Sequence, residues 1–224
     1  MSVAEMEIQF EENAIIQLLS DPELEGRPVA IKAGEVLYEG NTPATECYLI
    51  QSGEIRLFWP GPQDTSRLVN IMGPGNFIGL GAVAGLEKQG FRAVAVSDCR
   101  LLAVRGTRFL ESLSGHPAAI AGLIRYVVSL LRRQAEDISG MAFEDCRHRL
   151  LRTLLRFSKT AAATPCDEGI ILRITHEQLA QAVGAARETV SLTLTELRQA
   201  KLLRTGRNRL IFDPQALQAA AEKQ

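Results

Sequence analysis

Thr175-His176-Glu177-Gln178-Leu179-Ala180-Gln181-Ala182-Val183-Gly184, followed by Ala185-Ala186-Arg187-Glu188-Thr189-Val190-Ser191-Leu192, is the stretch whose reading decides the fold. Thr175 is a good helix N-cap, and Gln178 stands three residues on, as a capping box requires. Leu179, Ala182 and Val183 share one helical face. Gly184 interrupts the pattern where a turn between two helices needs a residue without Cβ. A second amphipathic helix follows, with Val190, Leu194 and Leu197 on one face and Arg187, Glu188 and Ser191 on another. Two helices joined by a glycine turn read as a helix-turn-helix. Leu202-Leu203-Arg204-Thr205-Gly206-Arg207-Asn208-Arg209-Leu210-Ile211-Phe212 then places two short apolar runs around an Arg-rich tip, a β-hairpin wing.

Charge agrees with that reading. The 224-residue chain has a formal net charge of −1. Between Arg147 and Arg209, however, twelve basic residues stand against five acidic ones, a local charge of +7 on an otherwise acidic chain. A basic C-terminal third points to a polyanion as partner. In a helix-turn-helix the second helix enters the major groove, its N-terminal residues at the base edges. Arg187 can donate twice to guanine, Glu188 can accept from cytosine, and Ser191 can bond a base or a phosphate. Thr175, Thr189, Arg198, Arg204, Arg207 and Arg209 are the phosphate candidates, setting affinity and salt dependence more than sequence choice.

At these residues, Thr175 to Gly184 and Arg187 to Ser191, the chain resembles the winged helix of CRP/FNR-type transcription regulators. The resemblance carries base reading to Arg187 and Glu188, and Ser191 matches the FNR-like branch. Leu192 departs from it, since many relatives have a second base-reading arginine there. A leucine cannot hydrogen-bond to a base but can touch a thymine methyl.

From about Val29 to Val104, short apolar or alternating runs are stopped by turn residues roughly every ten positions, the texture of an antiparallel sandwich or barrel. Gly34-Glu35-Val36-Leu37-Tyr38-Glu39-Gly40-Asn41, Tyr48-Leu49-Ile50-Gln51-Ser52-Gly53 and Gly73-Pro74-Gly75-Asn76-Phe77-Ile78-Gly79 resemble the cyclic-nucleotide-binding β-roll. Binders of that type hold the ribose with a Glu just after Phe-x-Gly, and the phosphate with an Arg-Ser or Arg-Thr pair on the next loop. Here Leu80 takes the first place. The second falls near Gln89-Gly90, with Phe91, Arg92 and then Ala93. Control by cyclic AMP is therefore not expected, although a cyclic-nucleotide regulator with an atypical pocket is the alternative. A small organic anion on Arg92, Arg125 or Arg67, or no effector at all, also fits. The expected pocket residues are Gly79, Leu80, Gln89, Gly90, Phe91, Arg92 and, from the long helix, Gln134.

That helix starts near Ser114–Pro117, with Pro tolerated in the first turn. Ile120, Ile124, Val127, Leu131, Gln134, Ile138 and Met141 step by four and three, a heptad seam with one polar member. The seam can serve a two-stranded dimer or pack on its own β-domain. A helix of about 25 residues runs near 37 Å, longer than one small β-domain covers, which favours the dimer. The resemblance implies the same dimer helix. A helix over residues 8–19 precedes the β-rich part, and a helix over 146–158, with Asp145 as N-cap and Leu150, Leu151, Leu154 and Leu155 as its core face, follows the seam. Ala161 to Pro165 reads as a loop, Gly169 to Ile174 as a strand, and Asp213-Pro214 as the start of a last helix.

The expected architecture is thus α+β: a β-roll sensor over 1–113, a dimerisation helix over 114–142 and a winged helix-turn-helix over 143–224. The expected partners are a palindromic double-stranded DNA, a second copy of the chain and RNA polymerase, with no membrane and no cofactor. Composition agrees, with 46% hydrophobic and 23% charged residues, ordinary for a soluble domain. The acidic start, Met1 to Glu7, lacks the basic region of a signal peptide, so the cytoplasm is expected. A cupin-like barrel enzyme with a DNA-binding appendage needs clustered metal ligands. No His lies between Val29 and Val104, and no G-x-S-x-G nucleophile motif occurs. Cys47, Cys99, Cys146 and Cys166 are too dispersed for a zinc site, a disulfide framework or an iron–sulfur cluster. Haem ligation by Cys47 or Cys99, and a redox switch at any of the four cysteines, are the remaining redox readings.

Overall fold

The computed structural model describes residues 24–61 and 65–222. The helix expected over 8–19 lies outside them. Eight strands build two four-stranded sheets in the N-terminal part. They are β1 (Arg27–Ile31), β2 (Val36–Tyr38), β3 (Glu46–Ser52), β4 (Ile55–Pro60), β5 (Ser66–Met72), β6 (Phe77–Ile78), β7 (Arg92–Ala95) and β8 (Cys99–Arg105). One sheet has the order β1-β8-β3-β6 and the other β2-β7-β4-β5. Both put alternate residues into one core, with Tyr48, Ile50, Leu101 and Ala103 from the first sheet meeting Tyr38, Ile55, Ala93 and Ala95 from the second. Gly53 (φ +94°) makes the tight link between β3 and β4, where a Cβ would lie 2.6 Å from the Asp98 carbonyl oxygen.

Two helices of this region had no start signal. α1 (Leu80–Val83) is a single turn. α2 (Gly106–Leu113) begins after Arg105, whose side chain makes no capping bond, and it buries Phe109 and Leu113. The long helix α3 spans Pro117–Phe143. Its packing divides between adjacent stripes. Ala119, Leu123 and Tyr126, at i, i+4 and i+7, pack against the β-domain, and the Tyr126 hydroxyl donates to the Phe77 carbonyl at 3.0 Å. The neighbouring stripe of Ile120, Ile124, Val127, Leu131, Ile138 and Met141 stays exposed, at 37–66%. The helix therefore does pack on its own domain, but with residues other than those of the heptad seam.

The rest of the chain forms α4 (Cys146–Phe157), β9 (Ala163–Cys166), β10 (Gly169–Leu172), α5 (His176–Val183), α6 (Arg187–Gln199), β11 (Arg204–Gly206), β12 (Arg209–Phe212) and α7 (Pro214–Ala221). The Ala161–Pro165 segment, read as a loop, is corrected: Ala163 to Cys166 is an edge strand paired with β10, Pro165 opposite Ile170. An edge position tolerates a proline that cannot donate. The third sheet runs β11-β12-β10-β9. Asp145 caps α4 by accepting from the His148 N–H at 2.8 Å.

The chain divides into two compact units, one of residues up to Leu57 with Met72–Ala135, the other of Phe58–Ile71 with the residues from Glu136 on. In the second unit Leu150, Leu151, Leu154 and Phe157 of α4 meet Leu179, Val190, Leu194, Leu197, Leu210 and Phe212. Strand β5 joins this core through Leu68 and Ile71, both nearly fully buried. Truncating one of the buried leucines to Ala costs about 2–5 kcal/mol. Gly140 has a local reason: a Cβ there would meet the Arg152 guanidinium, which pairs with Glu144 at 2.6 Å. Arg156 pairs with Asp137 at 2.8 Å in the same cluster. Arg67 lies nearby with its pKa lowered by burial, against the pull of Asp137.

Candidate nucleic-acid interface

The helix-turn-helix is held by backbone chemistry the sequence spells out. The Thr175 side chain accepts from the Gln178 N–H and the Gln178 side chain accepts from the Thr175 N–H, both at 3.1 Å, a complete capping box. Gly184 closes α5 in the left-handed region at φ +69°. α6 then starts at Arg187. Its N-cap, Ala186, has no side-chain acceptor and makes no capping bond, so its first-turn N–H groups remain for solvent or an anion. Val190, Thr193, Leu194 and Leu197 face the core. Arg187, Glu188, Thr189, Leu192 and Arg198 are exposed.

Ser191 differs from the expectation of an open side chain. It is half-buried, and its Oγ lies 2.9 Å from His176 Nδ1, which ties α6 back to α5. If the hydroxyl donates to a neutral Nδ1, it keeps only acceptor capacity toward a base. Thr175 likewise commits acceptor capacity to the cap and keeps its O–H.

On the wing, Gly206 pairs with Arg209 across a tip of Arg207 and Asn208, and Asn208 takes the left-handed conformation at φ +55°. Arg204, Arg207 and Arg209 are all exposed. Arg204 pairs with Glu168 at 2.8 Å, both side chains more than half exposed. Such a surface pair is weak and can exchange for a phosphate.

The expected effector residues scatter in role. Gly79 sits at φ +81°, where a Cβ would approach the Glu46 carbonyl oxygen at 2.8 Å. Leu80 is half-buried against the cluster of Cys47, Leu49, Phe77, Val83, Val104 and Phe109. Gln89 is buried, and its Nε2 donates to the Glu46 carbonyl at 3.1 Å. Gly90 donates to the Gly40 carbonyl at 2.8 Å, and Phe91 is half-buried. Arg92 is exposed and paired with Glu39 at 3.2 Å, and Gln134 is exposed on α3. Tyr126, absent from the sequence-derived pocket, packs from α3 against the core that holds Tyr38, Tyr48 and Ile50. Arg67 belongs to the charged cluster of the second unit.

Two domain profiles match the chain: a cyclic nucleotide-binding domain over residues 28–116 and a Crp-like helix-turn-helix domain over 148–220. The transcriptional regulator SdrP of Thermus thermophilus is 30% identical over 199 residues, 87% of this chain and 94% of that protein. The chain belongs to the CRP/FNR family of transcription regulators. A CRP/FNR-family regulator of known structure, also from Thermus thermophilus, is 27% identical, with a TM-score of 0.71 over 88% of this chain and 99% of that one. The CRP-like cAMP-activated global transcriptional regulator of Mycobacterium tuberculosis is 26% identical over 85% of this chain and 86% of its own length. CRP-family regulators bind DNA and act as dimers, so the helix-turn-helix and the exposed stripe of α3 are the two surfaces of this CRP/FNR chain to consider.

The cysteines are ordinary in this frame. Cys47 is fully buried, its Sγ donates to the Val104 carbonyl, and burial pushes its pKa up to about 12. Burial also raises Cys99. Among the described residues no helix is long and apolar enough to cross a membrane.

Proposed function

We propose that this protein is a cytoplasmic, dimeric, sequence-specific DNA-binding regulator that acts at promoters with RNA polymerase and does not respond to cyclic AMP. Two copies pair along the apolar stripe of α3. Each presents α6 to a major groove, Arg187 donating to guanine and Glu188 accepting from cytosine. Thr175, Thr189, Arg198, Arg204, Arg207 and Arg209 hold the phosphates. No enzymatic step is assigned to it.

The observation that carries this reading is the exposure of Arg187 and Glu188 in the first turn of α6 and of Arg204, Arg207 and Arg209 on the wing, on a helix-turn-helix unit with its own core. Independence from cyclic AMP is supported by the packed, apolar Leu80 and by Arg92, which faces Glu39 instead of standing beside a hydroxyl residue. A carboxylate suits a ribose hydroxyl and an arginine a phosphate, and neither group is supplied in that form here.

The test is selection of duplexes from a random pool with protein purified without added ligand. The expected result is a palindrome with half-sites about 34 Å apart, unchanged when cyclic AMP is added. Enrichment that requires cyclic AMP overturns the ligand statement alone. Absence of any enriched sequence overturns the base-reading role of α6.

A further inference from the structure

We infer that Leu192 is a specificity-determining residue that selects thymine through its 5-methyl group, which extends the proposed base reading by α6 and rests on it. The face of α6 opposite its buried residues carries Glu188, Leu192, Thr195 and Gln199, stepping by four, three and four. Leu192 is 67% exposed. A single exposed leucine is common and by itself means little. Its place gives it meaning: it stands one turn beyond Glu188, on the stripe that contains it, next to the Arg187 turn and on the module that bears the arginine wing.

Two of its polar neighbours, Ser191 and Thr195, are already bonded within the protein, while Glu188, Thr189 and Glu196 are exposed beside it. Ser191 is engaged with His176 Nδ1. The Thr195 hydroxyl donates back to the Ser191 carbonyl at 3.0 Å. Beyond Glu188, the side chain that the outer stripe offers next is a branched hydrocarbon. Four residues advance a helix about 6 Å, so Leu192 meets base pairs adjacent to the one Glu188 reads. The apolar group that a base displays in the major groove is the thymine C5-methyl. Cytosine in its place would set an amine donor against hydrocarbon, leaving it without a partner. The positive surroundings draw in the duplex, and Leu192 then adds contact area only where a methyl is present.

The experiment takes the palindrome enriched by the full-length protein and replaces its thymines one position at a time, in both half-sites, with deoxyuridine. That change removes the methyl and keeps every pairing edge. Loss of one covered methyl weakens binding about fourfold per half-site and about fifteenfold for the pair. One thymine position is expected to show this loss with the native protein. Leu192→Ala, an exposed substitution that leaves the core of α6 intact, is expected to bind the same palindrome but to lose discrimination at that position. Equal affinity for thymine and deoxyuridine throughout the half-site, or a half-site without thymine, overturns the assignment. So does a methyl effect that persists in Leu192→Ala. A protein that enriches no sequence fails the base-reading proposal itself, so the two failures are distinct.

Discussion

Truncating Leu131 to Ala should weaken the dimer about a hundredfold without unfolding the chain. Full burial of an aliphatic side chain contributes about 1.5–3 kcal/mol. Leu131 is 63% exposed in the single chain, so covering the remainder contributes roughly 1.4 kcal/mol per copy. A two-fold seam counts it twice, about 2.8 kcal/mol, or two powers of ten in Kd. The same exposure limits the cost to the isolated fold to within about 0.5 kcal/mol. Sedimentation velocity over a wide range of loading concentrations reads the Kd directly. Far-ultraviolet circular dichroism on the same samples shows whether the fold persists. Leu131→Glu should dissociate the dimer further, because two carboxylates would face each other in an apolar seam. Affinity for a palindrome should fall in step, while affinity for a single half-site should hold. A Kd for Leu131→Ala equal to that of the native protein would refute the pairing along this stripe.

Arg187→Ala should abolish preference for the palindrome and retain weak binding to random duplex; loss of equal size on both, measured by competition, would count against base reading by Arg187. Arg207→Ala combined with Arg209→Ala removes four charges per dimer and should flatten the plot of log affinity against log salt by up to about 3.6, with little change in the selected sequence. Asp145→Ala should cost about 1 kcal/mol at neutral pH, and Asp145→Asn much less, since asparagine caps as well. The Asp145 carboxyl is held below its ordinary pKa, first by the His148 N–H. Its capping contribution is therefore present above the unfolded value of ~3.9 and is lost as pH falls through the lower folded value. Denaturant melts of native protein and Asp145→Ala should converge in that acid range.

The parts of the fold that were legible were those with local chemistry. Thr175 with Gln178, Gly184 and Asp145 mark helix ends by bonds made within a few residues. The parts that were not lacked such marks. α2 starts without a side-chain cap, β6 is two residues long, and β9 contains a proline made tolerable only by its edge position. Arg56 shows a different limit. Alternation along β4 sends it away from the core that holds Ile55, yet it is 2% exposed and pairs with Glu54 at 2.7 Å. At the interface, the exposure of Arg187 and Glu188 followed from helical periodicity. The bond that draws Ser191 back to His176 joins residues fifteen apart on two helices, and no spacing rule announces it.

The contribution of Phe58–Ile71 to the second unit makes the molecule indivisible by any single scission. A fragment beginning at Glu136 would carry the recognition helix and wing but would lack Leu68 and Ile71, leaving part of its hydrocarbon interior wetted. Such a piece should self-associate or melt early, whatever its affinity for a duplex. Borrowing this module for another protein would require transplanting the hairpin as well, or repainting the uncovered leucines with polar residues.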